Sequence, residues 1–161
     1  MNKTIALRIK IPFLRIVMTA AMAGSLWVTG PQVLAQNNPD AALAAAAKEP
    51  GAVVTPSGLV IRTLKEGNGP QPTAASTVRV HYKGTFPDGN EFDSSFKRGE
   101  PIEFPLSGVI KCWTEGVALM KVGGTAKLTC PSSIAYGARG AGGVIPPNAT
   151  LVFEVALLGI R

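Results

Sequence analysis

Hydrophobic and polar positions follow two different rhythms along this chain. From Thr77 to Lys83, TVRVHYK, the period is two: Val78, Val80 and Tyr82 share one face, and Thr77, Arg79, His81 and Lys83 share the other. Thr125 to Cys130, TAKLTC, and Thr150 to Ile160, TLVFEVALLGI, read as further strands; the second is the most apolar and is expected near the middle of a sheet. LVIRTLKEG, after Gly58, is another, halted by Gly67-Asn68-Gly69-Pro70. Pro101 to Leu106, PIEFPL, gives a short one with Ile102 and Phe104 on one face. Val109 to Met120, VIKCWTEGVALM, changes the period: Ile110, Trp113, Val117 and Met120 fall together at helical spacing, opposite Lys111, Thr114 and Glu115. It is the only strongly helical stretch past residue 48, and Gly123-Gly124 ends it. The pattern predicts an α+β domain, a single antiparallel sheet curled over one short helix. Trp113 is the largest side chain at the contact, either plain core or the floor of a pocket.

Between these elements, Pro87-Asp88-Gly89-Asn90 reads as a hairpin turn, and Glu91 to Asp93 begins the return strand. Phe92-Asp93 sets an aromatic beside a carboxylate at a strand end, five residues before Arg98. The carboxylate either works on a substrate or is held by Tyr82 and Arg98 as scaffold. Pro131 to Asn148 is a long aperiodic loop holding AYGARGAGGVIPPNA. Such loops in compact domains carry function more often than they merely connect, and Val144 and Ile145 would otherwise be left wet. The loop is expected to lean over a pocket.

The start of the chain has another composition. Lys3, Arg8, Lys10 and Arg15 precede an apolar run from Ile16 to Val28, a Gly30-Pro31 break and Val33-Leu34-Ala35. That is the anatomy of a secretory signal peptide cleaved after Ala35, with an apolar run too short for a comfortable membrane span. Residues 1–35 are therefore expected to be removed, leaving no stable membrane span. Residues 36–56, with DAALAAAAK at their centre, read as an Ala/Pro-rich tether; the alternative is a short helix lying against the domain or a second copy. The folded domain is expected over 57–161. The formal net charge of +6 owes much to the leader, since the twelve bases beyond residue 16 face ten acids. No basic stripe is left to support a nucleic-acid partner.

Chemistry-bearing residues are few. His81 is the only histidine and sits on a strand's polar face, so it reads as a surface residue rather than a metal ligand. No nucleophile stands beside a base and no metal or cofactor set is visible. Cys112 and Cys130 are the only cysteines. In an exported chain they form a candidate disulfide worth about 3 kcal/mol; buried thiols are the alternative.

VRVHYKGTFPDGNEFDSSF, GVIKCWTEGVALMKVGG and SSIAYGARGAGGVIPPNATLVFEVALL, in that order over residues 57–161, resemble the FKBP-type peptidyl-prolyl cis-trans isomerases, and the tethered form behind a leader is similar to their exported bacterial members. The resemblance implies five or six antiparallel strands around one helix, with an apolar pocket of Tyr82, Phe92, Asp93, Val109, Ile110, Trp113, Tyr136, Val144, Ile145 and Phe153, and Ile102 on the rim. The family often has an aromatic at Ile102, an acid at Gly108 and a histidine at Ala141. It also implies rotation of X-Pro bonds in proline-containing polypeptides, periplasmic folding assistance, and macrolide inhibitors as ligands. Trp113 would lie under the proline ring with Phe92 and Phe153 as walls, Tyr136 would donate to a substrate carbonyl, and the Ile110 N–H would hold its neighbour. Two rival readings remain: a chaperone or binding module using the pocket without turnover, and an interaction domain that docks through its tether.

Overall fold

The strand rhythm fixes one continuous sheet. The computed structural model describes residues 38–161, so the reading of residues 1–35 as a leader lies outside the described residues. Among the described residues seven strands pair antiparallel: β1 (Ala52–Val54), β2 (Val60–Lys65), β3 (Thr77–Thr85), β4 (Glu91–Ser94), β5 (Ile102–Pro105), β6 (Thr125–Cys130) and β7 (Leu151–Ile160). Their order is β1-β2-β6-β7-β3-β4, with β5 also paired to β3. The most apolar strand, β7, lies between β6 and β3, and its Leu151, Phe153, Val155 and Leu157 are buried. Val78, Val80 and Tyr82 of β3 face the same core, as period-two alternation requires.

Beyond the five or six strands implied by resemblance, β1 comes from the segment read as a tether. That segment also contains α1 (Pro39–Ala47). Asn38 caps this helix by accepting the Asp40 backbone N–H at 3.1 Å, and Pro39 takes the first helical position. Ala46 is buried against the sheet. Just beyond the helix, Glu49 accepts from Lys127 Nζ at 2.6 Å and Arg62 Nη1 at 2.8 Å. Arg62 and Lys127 are cross-strand partners, so two like charges stand opposite each other until Glu49 comes between them. The Lys127 and Arg62 contacts hold the Glu49 carboxyl below its ordinary range. Of the alternatives open for this segment, the described structure has a helix lying on the domain.

The main helix, α3 (Lys111–Ala118), buries Cys112, Trp113, Gly116 and Val117. Cys112 and Gly116, one turn apart, face β6, where Leu128 and Cys130 share the matching face. Cys112 and Cys130 are joined as a disulfide, with Cα atoms 5.9 Å apart. At Gly116 a Cβ would come within 2.8 Å of both Leu128 methyls, so the absent side chain is what brings helix and strand so close. Trp113 and Val117 turn to the core on the adjoining stripe, followed by Met120 just past the helix end. A second helix, α2 (Ser95–Arg98), is a single turn after β4, capped by the Ser94 hydroxyl. His81 is half-buried beside it, its Nδ1 3.0 Å from Ser95 Oγ and its ring stacked on Phe96.

Gly116→Ala sets two effects against each other. Better helix propensity favours alanine by about 0.5–1 kcal/mol, whereas overpacking against a fully buried Leu128 costs about 1–3 kcal/mol. The steric term is expected to win, so Tm falls in calorimetry; a raised Tm would show that the helix does not sit this close to β6.

Candidate active site

The sheet curls so that side chains from four of its strands, α3 and two loops converge. A cavity of about 310 Å³ is lined by Tyr82 (β3), Phe92 and Asp93 (β4), Phe104 (β5), Gly108, Val109, Ile110, Trp113 (α3), Tyr136 and Phe153 (β7). Three rings meet Trp113 edge-on: Tyr82 at 5.2 Å and 85°, Phe153 at 5.5 Å and 90°, and Phe104 at 5.6 Å and 85°. Phe92 in turn meets Phe153 at 5.7 Å and 90°. Such edge-to-face pairs match the positive edge of one ring to the negative face of the next. They also fix a concave apolar floor, because rings at right angles cannot close into a flat stack. Beneath Phe92 and Phe153 lies Gly84 of β3, where a Cβ would stand 2.6 Å from the Phe92 ring and 3.1 Å from Phe153. A glycine inside a strand is the sequence signal of such a close approach.

The cavity's polar edge is a closed network. The Tyr82 hydroxyl donates to Asp93, Arg98 Nη1 donates to Asp93 Oδ1 at 2.5 Å, and Arg98 Nη2 reaches the Tyr82 hydroxyl oxygen at 3.1 Å. The guanidinium also lies over the Tyr82 ring, 5.7 Å from its centroid. Burial works to raise the Asp93 pKa, but the hydrogen bonds from Tyr82 and Arg98 outweigh it and hold the carboxyl below its ordinary range. Burial, then the Asp93 hydrogen bond, pushes the Tyr82 phenol up, so it stays a donor. At neutral pH Asp93 is thus an ionised acceptor with two donors on it, and has no proton to give. Tyr136 is 40 % exposed at the cavity mouth. Among the described residues no three His, Cys, Asp or Glu side chains gather as a metal site.

The family model described as FKBP-type peptidyl-prolyl cis-trans isomerase matches residues 69–158, more than half of the chain. The chain belongs to the FKBP-type peptidyl-prolyl cis-trans isomerase family. The FKBP-type 22 kDa peptidyl-prolyl cis-trans isomerase of Escherichia coli K12 is 54% identical over 114 residues, 71% of this chain and 55% of that protein. FK506-binding protein 1 of Dictyostelium discoideum is 59% identical over 106 residues, 65% of this chain and 99% of that protein. Among solved structures, FkpA from Escherichia coli superposes with a TM-score of 0.74 at 46% identity, covering 76% of this chain and 57% of that one. The chain spans about half the length of the bacterial curated relatives it matches.

Within this FKBP-type domain the residues read from sequence divide in two. Asp93, Tyr136, Trp113, Phe92, Phe153, Tyr82, Val109 and Ile110 come together around the cavity. Ile102, Val144 and Ile145 are not among its lining residues. Ile102 pairs with Val80 and packs on the core from β5, while Phe104, two residues on, reaches Trp113 instead. Strand alternation put Phe104 on the face of Ile102, so the signal for it was present. In the loop, Ala141 and Ile145 exchange backbone hydrogen bonds at 2.9 and 3.0 Å around Gly142 and Gly143, which take φ 57° and 69°. This tight turn drives the two apolar neighbours apart: Ile145 is 9 % exposed within the core and Val144 is 57 % exposed. Val144 is therefore wet, contrary to the expectation that it packs over the cavity. Gly108 and Phe104 are the lining residues absent from the sequence-derived site.

Two outcomes follow from the Asp93 network. A carboxyl depressed in the fold adds stability above its unfolded pKa near 3.8 and loses it as pH falls through the folded value. The wild-type Tm is thus expected to drop more steeply below about pH 4 than that of Asp93→Asn; parallel acid profiles would show that the network contributes nothing. Asp93→Leu is expected to stay folded and to lose about tenfold in turnover of an X-Pro peptide, and unchanged turnover would demote Asp93 to scaffold.

Proposed function

We propose that this chain speeds cis-trans rotation about X-Pro bonds in exported polypeptides and so assists their folding in the periplasm. The observation that carries the reading is the ring-lined cavity over Trp113, whose lining carboxylate is held as an acceptor by Tyr82 and Arg98. Rotation about the bond must break amide resonance, a barrier of about 18–20 kcal/mol, and needs no proton to leave. The planar amide owes its stability to charge separation that water solvates. Moving it into an apolar hollow disfavours the planar form more than the twisted one, which lowers the barrier by differential stabilisation.

In this reading the proline ring rests on Trp113 between Phe92 and Phe153, with Val109 and Ile110 closing the side. Tyr136 donates to a substrate carbonyl, the Ile110 N–H holds its neighbour in extended register, and the Tyr82–Asp93–Arg98 network fixes the rim. A macrolide whose ring mimics the prolyl segment would compete for the same hollow. Export follows from residues 1–35 read as a cleaved leader, which leaves 36–56 as the lead-in to the isomerase domain at 57–161; among the described residues no helix is long and apolar enough to cross a membrane.

The test is the relaxation of a cis/trans proline peptide with purified chain, wild type against Trp113→Ala and Phe153→Ala, each verified as folded. Wild type should accelerate relaxation, and each variant should lose about tenfold or more in kcat/KM. Relaxation at the uncatalysed rate with wild type would refute the proposal.

A further inference from the structure

We infer that the Cys112–Cys130 disulfide positions the cavity floor as well as fastening the fold, an inference that rests on the isomerase reading above. α3 is eight residues long, too short to keep its geometry alone, and no side chain caps its N-terminus. Its placement comes from what it is seated on. The stripe facing β6 has two anchor points one turn apart. At Gly116 the anchor is bare backbone against the Leu128 methyls, and at Cys112 it is a covalent bond closing 18 residues of chain.

Trp113 is the next residue after Cys112, so the bond holds the peptide unit that carries the floor. The indole itself has no polar tie, since Trp113 Nε1 is buried without a hydrogen-bond partner among the described residues; on the other side Thr114 Oγ1 donates to the Leu106 carbonyl at 2.5 Å, which fastens the helix to the segment before it and not to β6. The rings of Tyr82, Phe104 and Phe153 touch the indole by non-covalent edge contacts, whereas the disulfide ties the adjoining residue to β6 covalently. Both cysteines are fully buried, so thiols in solution have no access to the bond in the folded state. Its influence on the floor is set when the chain folds.

Turnover of a proline peptide is compared for the oxidised full-length chain and for the same chain unfolded, reduced with dithiothreitol and refolded in its presence. The protein S–S bond becomes two thiols while the two thiols of the reductant close into its cyclic disulfide. Cys112→Ala combined with Cys130→Ala supplies a second unbridged form. All carry Trp27→Phe, so that Trp113 is the sole indole whether or not residues 1–35 are retained, and all are assayed at a temperature where far-UV circular dichroism shows them folded. Both unbridged forms are expected to lose about tenfold in kcat/KM, with KM raised, and to show red-shifted Trp113 emission. A folded, unbridged chain with kcat/KM within about twofold of the oxidised one and unchanged emission would overturn the inference. So would a reduced chain that folds at no temperature, because the bond would then hold the fold rather than the floor. An oxidised chain without turnover would refute the isomerase reading instead, and the emission shift alone would then decide whether the bond positions Trp113.

Discussion

The structure depends on a short amphipathic helix being held close enough to a curled sheet for Trp113 to receive three ring edges at once. Each ring comes from a different strand, so the sheet must curl before they can converge, and the helix must approach closely before they can reach. Gly116 allows the approach on the β6 side, and Gly84 allows Phe92 and Phe153 to lie down over β3. Larger residues at either place would push apart the surfaces that make the hollow. The cavity is therefore a consequence of how the core packs: it lies where edge-on rings leave a concavity that no side chain of the domain fills.

Polarity is rationed around that hollow. Asp93 is half-buried and paired twice, by a phenol and by a guanidinium that also covers the phenol ring. The network ties β4 to β3 and α2, and it leaves Asp93 ionised. In the proposed mechanism this suits a reaction in which no proton moves, since a group poised to give or take one is not required. In that proposal the work is done by withdrawing an amide from water and presenting it to ring faces.

Much of this was legible in the chain before its fold. Period two located β3, the run after the Gly123-Gly124 break and the most apolar run located β6 and β7, the change of period located α3, and eight of the lining residues came from matching motifs. What escaped has physical causes. Val144 and Ile145 are adjacent and equally apolar, and only the backbone exchange between Ala141 and Ile145 decides that one is buried and the other wet. The Ala-rich segment carries almost no amphipathic signal, because its docking depends on Glu49 meeting a cation pair that is brought together only by the β2–β6 register. Phe104 was visible on its strand face, but whether it or Ile102 reaches the helix depends on the pairing of β5 with β3.

The central claim is that an apolar, ring-lined hollow eases the X-Pro bond through its twisted geometry without any proton in flight. The most direct measurement is the solvent deuterium isotope effect on kcat/KM for a proline peptide, taken at matched pH and pD. A ratio of about 1 is expected, because no exchangeable proton is transferred as the bond turns. A ratio of about 2 or more would place general acid or base catalysis in the rate-limiting step and contradict it.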